Sequence, residues 1–293
     1  MAQGGGPRLR LEFWRGFRES IAAGSGFTCG RASSETWMHH DAHLNCGRLF
    51  SMIRTRDGEI GSQFALDDLT ARTVYSLLAD HRQEVDEAFG QPLTWRVVSE
   101  RMHEIEVRRA ADLERRDEWP ELFTWLAGNL DGLARALGPF VGRSIPTPHR
   151  GDWDEPSFFS ALGEHNPDAV GLARQILEWG RASLPHLRWG HGKQSGSFTP
   201  SVLRSGIEHS VASVWTDGLF CIRFGALAKT PAFATEAMRT ELLDRFNEVP
   251  RFDLPAGVLN KYPGLPLRLL DDPASMRAFL SVLDWCAAVM RRR

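Results

Sequence analysis

Apolar residues recur at helical spacing near the start of the chain. Phe13, Trp14, Phe17 and Ile21 share one side, with Arg15, Arg18 and Glu19 outside, so a helix is expected over 8–22. Strand-like runs follow over 35–40, 48–55 and 59–66, and the last two are joined by Arg56-Asp57-Gly58, a hairpin signal. Asp67 or Asp68 then caps a long helix over 69–89, which Gly90 stops. Residues 93–98 and 103–107 read as extended. A further helix over 119–137 ends at Gly138-Pro139.

Between 142 and 156 the periodicity fades while Pro146, Pro148 and Pro156 accumulate, which reads as a linker. Beyond it the signals come again. A helix covers 167–182, extended runs cover 187–190 and 196–202, and a second hairpin joins 209–215 to 219–227 through Thr216-Asp217-Gly218. A helix over 234–247, a short strand over 265–270 and a helix over 274–290 complete the chain, the last opened by Asp271 or Asp272 and Pro273. Each half thus reads helix, three-strand meander, helix, strand, helix. The expected fold class is α+β, in two similar units at 8–141 and 157–293 separated by the linker 142–156. By pattern this is an internal duplication, with a mixed sheet around each hairpin.

Composition narrows the class without naming a reaction. A chain of 293 residues with 42% hydrophobic side chains and a formal charge of −2 has ample apolar surface for a core, which excludes disorder as its main state. No run approaches the roughly 18 apolar residues of a membrane span. The opening MAQGGGPRLRLEFWRGF has no apolar stretch ahead of its charges, so export is not expected and a cytoplasmic location is. Four cysteines in this length are no disulfide framework. Residues 1–150 hold 19 basic and 21 acidic side chains and the remainder 16 of each, so neither half carries the basic excess that drives unspecific phosphate binding. The 32 arginines against 3 lysines suit phosphate and base edges, although a GC-rich genome gives the same ratio.

The first half, read residue by residue, resembles a known family. Phe13-Trp14 on the first helix, Trp37 on the first strand, Glu84…Phe89-Gly90, Leu93-Thr94-Trp95 and Trp119…Trp125-Leu126 resemble an uncharacterised bacterial and archaeal family of unknown function. That family is placed near the PD-(D/E)XK nuclease superfamily and often follows a RecB-like nuclease domain. The likeness covers 8–141, and the second half looks like a diverged copy. It implies a nuclease-like core and a nucleic-acid or phage-defence setting, and no reaction.

The chemistry of such a nuclease needs one acidic residue on a strand and an acid-x-Lys on the next, to hold Mg²⁺ and steady the attacking water. The strands after the hairpins read EIGSQFAL and LFCIRFGAL, and none of Lys193, Lys229 and Lys261 lies two residues after an acid. No catalytic residue and no cofactor are therefore assigned. The segment Arg188-Trp189-Gly190-His191-Gly192-Lys193-Gln194-Ser195-Gly196-Ser197-Phe198 is the most unusual. It is not a P-loop, yet its glycines let backbone N–H groups approach a phosphate while Arg188 and Lys193 add charge. The competing reading is that the glycines only shape a bulged or twisted strand pair. Arg188, Trp189, Gly190, His191, Gly192, Lys193, Gln194 and Ser197 are the candidate nucleic-acid contacts. His39, His40, His43 and Cys46, with Cys29 upstream, hold zinc-ligand atoms but lack a zinc-site spacing, so no metal is assigned. The expected function is a nucleic-acid-associated protein with a nuclease-like fold lacking the nuclease site, its partner DNA or RNA. The alternative is a protein-interaction subunit of a bacterial assembly, its Trp and Arg side chains anchoring a protein partner.

Overall fold

The computed structural model describes residues 6–21, 25–99, 101–143, 151–204 and 207–292. They divide into two compact units, Met1–Ala71 with Leu78–Gly138, and Arg72–Leu77 with Pro139–Arg293. Residues 144–150 of the expected linker lie outside the described residues.

The first unit begins with α1 (Pro7–Ser20), whose leading proline suits a first turn that has no N–H partner to lose. Leu9, Phe13, Trp14 and Phe17 are its buried face. Strands β1 (Thr28–Cys29), β2 (Trp37–Asp41), β3 (Arg48–Arg54) and β4 (Glu59–Leu66) follow. The β3–β4 turn uses Gly58 at φ +65°, a left-handed conformation that glycine adopts freely. The long helix expected over 69–89 is two, α2 (Ala71–Asp80), of which Arg72–Leu77 belong to the second unit, and α3 (Arg82–Phe89), broken at His81. Gly90 at φ +99° closes α3. A hairpin of β5 (Thr94–Ser99) and β6 (Met102–Ala110) then leads to α4 (Trp119–Val141). Helix α4 runs through Pro139, where the sequence predicted its end. Proline forfeits one backbone bond there, but Phe140 and Val141 beyond it are buried and hold the final turn in place. The sheet order is β1-β2-β3-β4-β6-β5.

The second unit holds α5 (Glu155–His165), a helix that begins where the sequence predicts the end of a linker. Asp154 caps it by accepting from Ser157 N (2.9 Å) in a capping box, and Pro156 sits in its first turn, where proline starts a helix rather than breaking one. Then come α6 (Ala169–Ser183), β7 (His186–Trp189), β8 (Ser197–Arg204), β9 (Ile207–His209), β10 (Ala212–Trp215) and β11 (Leu219–Ile222). Val202 pairs with His209 but Phe198 with Val214, so the β9–β10 stretch carries one extra residue, a bulge. The strand expected over 219–227 stops at Ile222. Phe224 and Leu227, three apart and both fully buried, turn the chain into α7 (Phe224–Leu227). Helix α8 (Glu236–Asn247), β12 (Gly264–Pro266), a 3-10 turn at Leu267–Leu270 and α9 (Pro273–Arg292) finish the unit. Its sheet runs β12-β11-β10-β8-β7.

Both units are therefore mixtures of helices and one sheet, the fold class that the pattern predicts. Every strand pairing among the described residues is antiparallel, where a mixed sheet was expected. The cause is local: β5 and β6, neighbours along the chain, pair antiparallel, and β6 pairs antiparallel with β4.

Candidate nucleic-acid interface

In the glycine-rich segment Trp189 pairs with Phe198, so residues 190–196 form a hairpin loop closed by Gly190 N donating to Ser197 O (2.8 Å). Trp153, 2% exposed, fills the loop from below. Its indole Nε1 donates to Gly192 O (2.6 Å) and its backbone N to Gly190 O (3.3 Å). A Cβ at Gly196 would lie 2.5 Å from the Trp153 ring, one at Gly190 2.6 Å from Ser197 Oγ and one at Gly192 2.4 Å from Ser195 O. Packing thus accounts for all three glycines. Arg188 Nε donates to both carboxylate oxygens of Glu208 (2.8 and 3.1 Å). Trp189 packs on Phe158 and Phe198, and Ser197 is buried. His191, Gly192, Lys193 and Gln194 form the exposed tip, with His191 Nδ1 2.7 Å from Asp152 Oδ1.

The metal-ligand types do not converge. His39 and His40 point to opposite faces of β2, and buried His40 shares a hydrogen bond with Ser51 Oγ (2.9 Å) among Phe17 and Phe27. Cys46 is buried, while His43 bends the chain at φ +56° with its ring 3.9 Å from Asp41. Among the described residues no three His, Cys, Asp or Glu side chains are grouped as metal ligands.

On the first sheet, Glu106 is the centre of an ion-pair ladder. Arg54 Nη2 donates to Glu106 Oε2 (2.5 Å), Arg108 donates to its Oε1, and Arg96 Nη1 donates to the same oxygen (3.3 Å). Arg96 also faces Glu104, and Arg108 faces Glu59, each at 3.7 Å. Burial pushes the Glu106 carboxyl up, but hydrogen bonds and charge from Arg108 and Arg54 outweigh it and hold the group below the usual carboxylate range. Three arginines against three glutamates leave this ladder neutral.

The uncompensated charge lies elsewhere. Leu11, Arg15 and Arg18 stand at i, i+4 and i+7 on one side of α1. Together with Glu19 and the segment Arg31-Ala32-Ser33-Ser34 they line a cleft of about 750 Å³. Among the described residues no ion pair or hydrogen bond engages the guanidinium groups of Arg15, Arg18 and Arg31. Three cations against the single carboxylate of Glu19 give a local excess of two. The neighbouring arginines of α1 differ: Arg8 pairs with Glu12, and Arg10 Nε donates to Ser34 O (2.7 Å). Trp14 Nε1 donates to Glu35 O (2.9 Å), so the far wall of the cleft is tied to α1 at two points. The sequence displays the 11-15-18 spacing but not the partnering that leaves these arginines free. Arg31, thirteen residues after Arg18, gives no signal of joining them.

No curated protein and no solved structure matches the chain. Residues 9–141, the stretch that carries the aromatic face of α1, the arginine cleft and the first sheet, match the family model described as Domain of unknown function (DUF4268).

Proposed function

We propose that the protein is a nucleic-acid-associated module that holds DNA or RNA without cutting it, on a nuclease-like core that has lost its site. The observation that carries the reading is the cleft lined by Arg15, Arg18 and Arg31. Unpaired guanidinium groups clustered in a concave site suit the oxygen array of a phosphodiester backbone. The exposed loop tip with His191, Lys193 and Gln194 is a second, weaker contact. Arg188 is already engaged by Glu208, and Trp189 by its aromatic neighbours.

The test is binding of fluorescent oligonucleotides across a salt series, with the parent, the triple change Arg15→Ala/Arg18→Ala/Arg31→Ala, and Arg188→Ala/Lys193→Ala. The triple change is expected to lower affinity most at low salt and to flatten the salt slope by about 2, from three lost phosphate contacts. A parent that binds no oligonucleotide even at low salt overturns the reading. One observation favours the alternative, a protein-interaction subunit: β5 ends the sheet order, with Val97 66% and Val98 50% exposed, and an edge strand is the kind that accepts a strand from another chain.

A further inference from the structure

We propose that the arginine cleft takes the terminal phosphate of a nucleic-acid strand, a phosphomonoester dianion, rather than the phosphodiesters along its length. This rests on the nucleic-acid reading above and deepens it. The first argument is charge. Arg15, Arg18 and Arg31 against Glu19 leave an excess of positive charge on the lining of one cleft. Cys29, within electrostatic reach of Arg18, does not reduce that excess, because burial pushes its thiol up to about 11 against the pull of Arg18 and keeps it neutral. A phosphodiester brings a lone negative charge shared over its two free oxygens. A terminal phosphate brings about two charges near pH 7 and a third free oxygen, so that each guanidinium fork finds an acceptor.

The second argument is shape. Arg15 and Arg18, neighbours on the surface of α1, stand on one wall, and the segment Arg31-Ala32-Ser33-Ser34 forms the other. The lining of α1 begins at Leu11 and that of the facing wall ends at Ser34. At this end Arg10 crosses from the helix to Ser34 O (2.7 Å), and the fully buried Trp14 holds the adjoining Glu35 O (2.9 Å). A strand running through the cleft would have to leave past these two bonds, whereas a strand end needs no exit. Ser33 adds a donor. Its Oγ accepts from Glu35 N (3.3 Å), which leaves the hydroxyl proton to turn towards a ligand oxygen. The volume of about 750 Å³ is that of a site enclosing a small group, not of a groove tracking a long backbone. The neutral ladder around Glu106 offers a dianion no comparable attraction.

The experiment measures binding by titration calorimetry at low salt and pH 7.5. The probes are dT12 with a 5′-phosphate, dT12 with a 3′-phosphate, and unphosphorylated dT14, which carries about the same total charge. Thymidine 5′-monophosphate and inorganic phosphate are titrated alongside. The proteins are the parent, the triple change Arg15→Ala/Arg18→Ala/Arg31→Ala, Arg18→Gln and Arg31→Gln, each first checked for an unchanged unfolding midpoint. All three arginines are exposed, so these changes are expected to leave folding intact. The parent is expected to bind at least one phosphorylated strand about tenfold more tightly than dT14, and the tighter of the two says which end enters. The triple change should erase that preference, and each glutamine change should cut it about fivefold. Equal binding of the phosphorylated strands and dT14 by the parent overturns the terminal-phosphate site and leaves the nucleic-acid reading standing. A preference that survives the triple change does the same, because it puts the terminal phosphate elsewhere. A preference lost in Arg18→Gln but kept in Arg31→Gln overturns a site built from both walls. Thymidine monophosphate or inorganic phosphate bound as tightly as the phosphorylated strands overturns a strand-end site in favour of one for free phosphate compounds. No binding of any strand by the parent overturns the nucleic-acid reading itself.

Discussion

Burial keeps the His40 imidazole neutral, down to about pH 3, with the neighbouring His39 charge adding to the effect. It acts on Asp217 in the other direction, raising its carboxyl to about 6 against backbone hydrogen bonds that pull it down. The consequences for stability have opposite signs. Between about pH 6.5 and 3 the unfolded chain binds a proton at His40 that the folded chain refuses, so stability falls as pH falls, by up to about 1.4 kcal/mol per pH unit. For Asp217 the folded state holds the extra proton, so its contribution is present below about pH 4 and is lost as pH rises through about 6. Two measurements separate them. The ring resonances of His40 should stay put from pH 8 to pH 5, and Asp217→Asn should gain stability over the parent above pH 6 but not at pH 4. A His40 resonance that titrates near 6.5 removes the first argument, and a pH-independent effect of Asp217→Asn removes the second. The sequence shows neither shift. His40 reads as one of three histidines inviting a metal, and only the alternation of β2 places it inward against Phe17 and Phe27.

At the scale of elements, the hairpins were the most legible feature. Asp57-Gly58 and Asp217-Gly218 both turn strands as their chemistry demands, with Gly58 at φ +65° and Gly218 at φ +82°. Helix ends were less so, because the same residue means different things by position. Pro156 and Pro139 both suggested interruption, yet one lies in a first turn and the other is tolerated inside a last turn by burial of Phe140. The cap at Asp154 was readable in principle, since Asp154 and Ser157 have the spacing of a capping box ahead of Phe158 and Phe159. Asp154→Ala should therefore cost about 1 kcal/mol by urea unfolding. Gly196→Ala should cost more, about 1–3 kcal/mol, because its Cβ would meet the Trp153 ring at 2.5 Å. If Gly196→Ala proves as mild as an ordinary surface change, Trp153 does not set the shape of that loop. What could not be read was the choice between phosphate loop and packing loop. Trp153 precedes the loop by a whole helix pair, α5 and α6, and meets it only through folding. No local signal links it to Gly190, Gly192 and Gly196.

For the whole molecule, a formal charge of −2 hides where charge is free. Nearly balanced halves give no net basic excess, and local pairing is what distributes the charge. Arginine is neutralised at Glu106, Glu12 and Glu208, while among the described residues no ion pair engages Arg15, Arg18 and Arg31. The same matching of partners bears on catalysis. A metal-dependent nuclease needs carboxylates whose oxygens face the ion, whereas both oxygens of Glu106 accept from arginine, and Glu59 and Glu104 each face one as well. No lysine follows an acid at the required spacing on any strand. The protein incubated with DNA or RNA and either Mg²⁺ or Mn²⁺ should therefore leave the substrate intact on a sequencing gel. Glu106→Gln should destabilise it by about 1–3 kcal/mol, because it leaves arginines around a buried position without their counter-charge. Divalent-dependent cleavage that disappears in Glu106→Gln, at a temperature where that variant remains folded, would make the ladder an active site and reverse the non-cutting reading. Cleavage that survives changes at Glu59, Glu104 and Glu106 alike would belong to a contaminant, and the ladder would keep its structural role.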